Sequence, residues 1–173
     1  MGIFDKIFGR KPGKAGNKVE KRHLLNMRVG DIVSYDLIDY TVVGLIKYED
    51  SGYTWTAYQL EGDGERVWLG VEQDDALEAG IYKPVKLDLG DKPPRKITYR
   101  DKVFYLDEAG SATIVAVEGQ AGAVAGQRIS YWEYEDESED YALSVEMWGG
   151  DLEVSFGYYI HPRELSIMAG SHN

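Results

Sequence analysis

The stretch GYTWTAYQLEGDGERVWLGVE, Gly52–Glu72, decides how the chain is read. Its two arms are rich in β-branched and aromatic residues, with Trp55, Tyr58, Trp68 and Leu69 placed around a polar Gly62-Asp63-Gly64 turn. Short β-favouring arms closed by Gly and Asp form a tight antiparallel hairpin. The whole composition leans the same way: thirteen Tyr, four Trp and twenty Gly in 173 residues favour strands and turns over helices.

Working outward, Asp31–Tyr35 reads as a short strand and Asp39–Glu49 as a longer one. The longer strand puts Tyr40, Val42, Ile46 and Tyr48 on one face and Val43 and Leu45 on the other, the two-sided apolarity of a central strand. After the hairpin, Asp74–Ala79 reads as a helical turn or an acidic loop, and residues 80–85 resume an extended course. Asp88–Lys96, with Pro93-Pro94, is the best internal joint. Beyond it, Lys96–Leu106 and Ala112–Glu118 read as strands, and Gly119–Gly126 as a small-residue turn. Arg128–Glu135 and Tyr141–Trp148 form a second hairpin around an acidic tip. Leu152–Ile160 alternates apolar and polar residues as a half-buried strand does, and Pro162–Met168 reads as a closing helical turn.

The halves keep the same order of marks. Asp31-x-Val33-x-Tyr35 answers to Asp101-x-Val103-x-Tyr105, Trp55-Thr-Ala-Tyr58 to Tyr131-Trp-Glu-Tyr134, and Leu69-Gly-Val71-Glu72 to Leu143-Ser-Val145-Glu146. The expected fold is therefore all-β: two pseudo-repeated antiparallel meanders, residues 28–87 and 97–168, packed as a β-sandwich or a partly open barrel. They make one domain over residues 23–169, preceded by a short helical N-terminal segment and a spacer.

That segment, residues 1–11, sets Ile3, Phe4, Ile7 and Phe8 on one side of a short helix and Asp5, Lys6, Arg10 and Lys11 around the other. Its apolar side chains would contribute about 1.5–3 kcal/mol each if buried. Ordering the backbone costs on the order of 1–2 kcal/mol per residue. The segment thus needs an anionic membrane surface or a protein partner to hold it. Residues 12–22 are a basic, Gly/Pro-punctuated spacer. Residues 1–22 carry a net +5 and residues 23–173 a net −16, so the acidic body disfavours nucleic acid while the basic tail suits an anionic lipid or acidic partner. With no Cys, no apolar run of bilayer length and no secretory leader pattern, a cytoplasmic protein, at most membrane-peripheral, is the expectation. Composition does not fix the oligomeric state.

Four motifs in this frame, Gly30-Asp31-x-Val33, Tyr40-Thr41-Val42-Val43-Gly44, Trp55-x-x-Tyr58-x-Leu60 and Trp68-Leu69-x-Val71-Glu72, resemble the bacterial domain-of-unknown-function family 4178 over residues 28–165. The resemblance implies a bacterial intracellular or membrane-peripheral β-domain with no established activity. Members often carry Glu immediately before the hairpin Tyr; here that position is Ala57, which leaves any role of that Glu absent or moved.

Reaction chemistry is sparse. His23, His161 and His172 are the three histidines, without the convergent spacing of a metal site, and there is no Cys, nucleophile elbow or phosphate-cradling loop. No cofactor or metal is expected. The acidic tip at residues 135–140 reads as a solvated turn. Glu72 and Glu146 hold matching places in the proposed repeat and could converge as a carboxylate pair, against the plainer reading of two outward strand residues. Trp55, Tyr58, Trp68, Trp132, Tyr134 and Trp148, together with Glu72 and Glu146, are the candidate ligand or partner surface, against their ordinary use as core. Three functional readings follow. The first is a non-catalytic interaction module recruited through its N-terminus. The second is a soluble peptide- or glycan-binding domain with an aromatic cleft. The third is a carboxylate- or metal-dependent hydrolase.

Overall fold

The computed structural model describes residues 20–171, so the amphipathic segment 1–11 and residues 12–19 of the spacer lie outside the described residues. The first five strands are β1 (Ile32–Tyr35), β2 (Ile38–Asp50), β3 (Tyr53–Gly62), β4 (Glu65–Gln73) and β5 (Leu77–Val85). Then follow β6 (Lys96–Tyr99), β7 (Lys102–Gly119), β8 (Arg128–Asp136), β9 (Tyr141–Trp148), β10 (Asp151–Ile160) and β11 (Ser166–Met168). Among the described residues the only helical element is a single 3-10 turn, Pro162–Glu164.

The Gly52–Glu72 stretch forms the expected hairpin, β3 paired with β4 from Trp55↔Glu72 to Gly62↔Glu65. Asp63 and Gly64 at its tip both have positive φ, 49° and 72°, the handedness that matches the twist of the paired strands. All ladders are antiparallel, in the order β11-β1-β2-β3-β4-β5-β10-β9-β8-β7-β6. The ring then closes, because β7 also pairs with β2 from Gly44↔Gly119 to Glu49↔Thr113. Eight strands, β2-β3-β4-β5-β10-β9-β8-β7, make a closed barrel in place of the expected sandwich or partly open barrel. Length is the reason. β2 pairs along one edge first with β1 and then with β7, and β7 pairs along one edge first with β6 and then with β2. The crossing is tight: Gly119, at φ 64°, lies where a Cβ would fall 2.3 Å from the Val43 carbonyl oxygen.

Several local expectations change. Lys96–Leu106 is not one strand, since Arg100 and Asp101, at φ 50° and 58°, turn β6 into β7. β7 instead runs unbroken through Leu106–Ala112, with a bulge between Leu106 and Glu108. Residues 74–76 bend only briefly before β5 starts at Leu77, so no helical turn forms there. The closing segment is a 3-10 turn capped by the His161 side chain, after which β11 pairs with β1. The strands β1–β5 form one meander and β6–β10 another, joined through β2–β7 and β5–β10. In that order the counterpart of β1 is β6. The mark at Asp101-x-Val103-x-Tyr105 therefore lies one hairpin beyond the place its match to Asp31-x-Val33-x-Tyr35 requires.

Two apolar cores sit on the outer face of the barrel. One gathers Val42, Leu45, Tyr58, Leu60, Leu69 and Ile81, covered by Leu24, Met27, β1 and β11. It is sealed by Asp31, which is fully buried: its Oδ2 lies 2.8 Å from Arg22 Nε, and its Oδ1 accepts from Gly170 N–H at 2.9 Å. The other gathers Phe104, Tyr134, Leu143, Val145 and Val154, covered by Ile97 of β6 and by Val85, Leu87 and Leu89. Two bulges let the long strands serve both faces, because one extra residue reverses the alternation. On β2 the bulge at Val42–Gly44 leaves Tyr40, Val42 and Leu45 outside and turns Ile46, Tyr48 and Asp50 inward. The sequence expectation of Tyr40 and Val42 sharing a face with Ile46 and Tyr48 is corrected accordingly. On β7 the bulge at Asp107 separates outward Phe104 and Leu106 from inward Glu108, Ala112 and Ile114.

Candidate binding cavity in the barrel lumen

The inner face does not fill the barrel. A cavity of about 1560 Å³ runs along it, from the β2–β3 and β4–β5 turns to the β9–β10 turn and residues 84–88. Small-molecule sites usually measure about 300–1,000 Å³. Glycines on the wall let one aromatic ring lie flat against it. Gly70, Gly80 and Gly157 lie on three adjacent strands, and the Tyr82 ring rests across them; a Cβ at Gly157 would fall 2.4 Å from that ring and one at Gly80 2.9 Å.

The walls combine aromatic rings with carboxylates. Tyr48 stacks on Trp55 at 5.2 Å between ring centroids, and Trp55 meets the Tyr131 edge at 5.3 Å. Trp68 and Trp148 line the same space and pack against the apolar group Ile46, Ile114 and Ile129. Eleven lining side chains are carboxylates, and among the described lining residues the only cation is Lys86. Tyrosine and serine hydroxyls hold several of them. Tyr48 donates to Glu146 Oε2 at 3.2 Å, Ser144 to Glu133 Oε1 at 2.8 Å, and Tyr159 to Glu135 Oε1 at 2.8 Å. Tyr131 donates to Asp50 Oδ2 at 2.7 Å, with Glu108 Oε1 at 3.3 Å from the same hydroxyl. Gly110 makes room for this contact, since a Cβ there would lie 2.6 Å from Asp50 Oδ2.

Enclosure and mutual repulsion shift these acids. Burial in the wall raises Glu133 to about 8, helped by the nearby Glu146, Glu108 and Glu72 charges and opposed by the Ser144 hydrogen bond. Burial likewise raises Glu146 to about 7, with Glu153 adding to the rise and Tyr48 opposing it. Glu72 is raised by burial and then by Glu108, Glu78 and Asp74. Asp50 moves the other way, lowered by its hydrogen bonds from Tyr131 and Ser51. The lumen is thus a field of negative potential in which the deepest carboxylates hold protons near neutral pH.

Of the residues singled out in the sequence, Trp55, Trp68, Glu72, Glu146 and Trp148 line this cavity. Tyr58, Trp132 and Tyr134 do not. Tyr58 is fully buried in the first outer core, Tyr134 is buried in the second with its hydroxyl donating to the Pro94 carbonyl at 2.7 Å, and Trp132 packs against that second core. Glu72 and Glu146 face one lumen from β4 and β9, and Glu133, which the sequence reading passed over, is within electrostatic reach of both. Tyr48, Tyr82 and Glu108 were passed over too. Strand alternation carries a signal for Glu133, because Tyr131, Glu133 and Glu135 share a face, but using it requires knowing that this face is the inner one. Among the described residues no group of three or more His, Asp or Glu is arranged to hold a metal ion. None of their helices is long and apolar enough to cross a membrane.

Comparison with known proteins places the chain. Residues 28–162 match the profile of a domain of unknown function, DUF4178. The chain is 30% identical over 145 residues to the uncharacterised protein Rv2597 of Mycobacterium tuberculosis (strain H37Rv) and to the uncharacterised protein Mb2628 of Mycobacterium bovis, a span covering 80% of this chain and 69% of each relative. No solved structure gives a significant match. With the family profile spanning most of the barrel strands and relatives aligned over four-fifths of its length, the chain belongs to the DUF4178 family.

Proposed function

We propose that this barrel is a non-catalytic binding domain that takes a small molecule into its lumen. The observation that carries this reading is the cavity of about 1560 Å³ enclosed by strands that bury two of their three apolar cores on the opposite face. A barrel that needed its interior for stability would fill it with interlocking side chains, as eight-stranded barrels of this size are able to do. Here two apolar cores lie outside and a third, around Ile46, Ala112, Ile114 and Ile129, fills only part of the interior, which leaves the rest of the inner wall for recognition. The described wall offers carboxylates, hydroxyls and rings, the groups that orient a small molecule in an enclosed site, and neither a histidine nor a thiol nucleophile lines it. The duplication read from the sequence belongs to the same proposal: the element order β1–β5 recurs as β6–β10, and two copies of one meander would give a ring with inward carboxylates from both halves.

The test is thermal-shift screening of a metabolite library against the full chain and against Ser155→Trp, which puts an indole into the cavity from β10. A lumen ligand raises the melting temperature of the wild type by several degrees and leaves Ser155→Trp unmoved. Ligands that stabilise both proteins equally would contradict the reading.

A further inference from the structure

The lumen carboxylates lie on two levels. Glu108 and Glu133 are partners across β7–β8, and Glu133 faces Ser144 across β8–β9. Glu146, two residues further along β9, pairs with Glu153 of β10. At about 3.3 Å of rise per residue, the Glu146–Glu153 level is about 7 Å along the wall from the Glu108–Glu133 level. Glu72 stands on β4, four strands round an eight-strand ring from β8 and thus on the opposite wall, yet it still raises the proton affinity of Glu133. The carboxyl groups therefore encircle the lumen and extend along it, with Trp55, Trp68 and Trp148 on the same walls.

This distribution selects among ligand classes. Anions are repelled from every side. A single inorganic ion meets one level only, and the described acids are not grouped to coordinate a metal. A neutral glycan suits the rings and leaves the carboxylates without counter-charge. A flexible cation with ammonium groups several ångströms apart meets both levels, and indole and phenol faces favour ammonium groups and methylenes alike. Resting on the lumen-binding reading, we propose that the ligand is a linear aliphatic amine with two or more ammonium groups. Its charges sit on the Glu108–Glu133 and Glu146–Glu153 levels, and its methylenes lie against the tryptophans.

Binding displaces protons. The groups facing Glu133 are Tyr48, Glu72, Tyr82, Glu108, Ser144, Glu146 and Tyr159, none of them cationic, so an arriving ammonium is the charge that lets Glu133 ionise, and Glu146 ionise fully, at neutral pH. Calorimetry at pH 7 in buffers of different ionisation enthalpy reads this as net proton release.

The experiment titrates the full chain with spermine, 1,8-diaminooctane, 1,8-octanediol, maltotriose and magnesium chloride. The proteins are the wild type, the double variant Glu133→Gln/Glu146→Gln, and the lumen-filled Ser155→Trp, with Ala57→Phe as a second filled variant should the first fail to fold. Spermine and 1,8-diaminooctane should bind one to one, at least tenfold more weakly to the double variant and not at all to a filled variant, while the diol, the trisaccharide and magnesium give no saturable heat. Failure of both amines to bind, unchanged affinity in the double variant, or equal binding of the diol, the trisaccharide or magnesium would overturn the amine class. In the last case, loss of binding in a filled variant would leave the lumen reading standing. Amine binding undiminished in the filled variants would overturn the lumen reading itself.

Discussion

On β9, Leu143 and Val145 are completely buried in an outer core, while Ser144 and Glu146, their immediate neighbours, face the cavity. The same contrast runs along β4, where Leu69 is fully buried outside and Trp68 lines the lumen. One strand thus stabilises the molecule with one face and presents chemistry with the other. The two sets of residues can be changed almost independently, and that separation can be tested.

The largest effect should come from the outer face. Leu143→Ala leaves a cavity in a closed core and should cost about 2–5 kcal/mol in urea denaturation. Ser144→Ala beside it loses one hydrogen bond to Glu133 and should cost about 0.5–1.5 kcal/mol. Equal costs would break the contrast between the faces. Gly157→Ala probes the boundary between them, because its methyl would press on the Tyr82 ring from 2.4 Å away. A loss of about 1–3 kcal/mol is expected, and a Tyr82→Ala background should relieve the part due to the ring while the part due to the Ile81 carbonyl oxygen, 2.8 Å from the same methyl, remains.

The lumen carboxylates should make stability depend on pH in the direction opposite to an ordinary salt-bridged acid. Glu133 is raised to about 8 in the folded chain, so between its usual value of about 4.5 and that point the folded state holds a proton the unfolded state has lost. Stability should fall as pH rises through that window. Glu133→Gln should flatten the decline and leave the variant more stable than wild type at pH 8, by about 1–2 kcal/mol once solvent screening in the cavity is allowed for. Denaturation at pH 5, 6.5 and 8 measures it. The smallest effect concerns neither face. Leu37 sits at the β1–β2 tip, fully exposed and at φ 66°, and Leu37→Gly should relieve that conformation for a gain of up to about 1 kcal/mol without altering the pH profile.

Local chemistry made much of this fold legible. The Gly52–Glu72 hairpin follows from its alternating arms and its Asp63-Gly64 tip, and the strand at Leu152–Ile160 follows from alternation alone. The bulge at Val42–Gly44 was hidden, because an inserted residue changes which side chains share a face without changing composition. Closure of the barrel was hidden for a different reason: it depends on Gly44–Glu49 meeting Thr113–Gly119, a pairing no local pattern encodes. The site was half legible. Trp55, Trp68, Glu72, Glu146 and Trp148 stand out by type and place, but Glu133 lies between Trp132 and Tyr134, two rings that face the outer core and draw the eye from the inward acid.

The account stands most squarely on the state of the lumen carboxylates, which the carboxyl-carbon NMR shifts of isotopically labelled glutamates report directly, with and without spermine. Glu133 should titrate near 8 and Glu146 near 7 in the free protein, and both should move down when the amine is added. Midpoints in the ordinary glutamate range, unmoved by the amine, would mean that these acids face neither one another nor a ligand, and would contradict it.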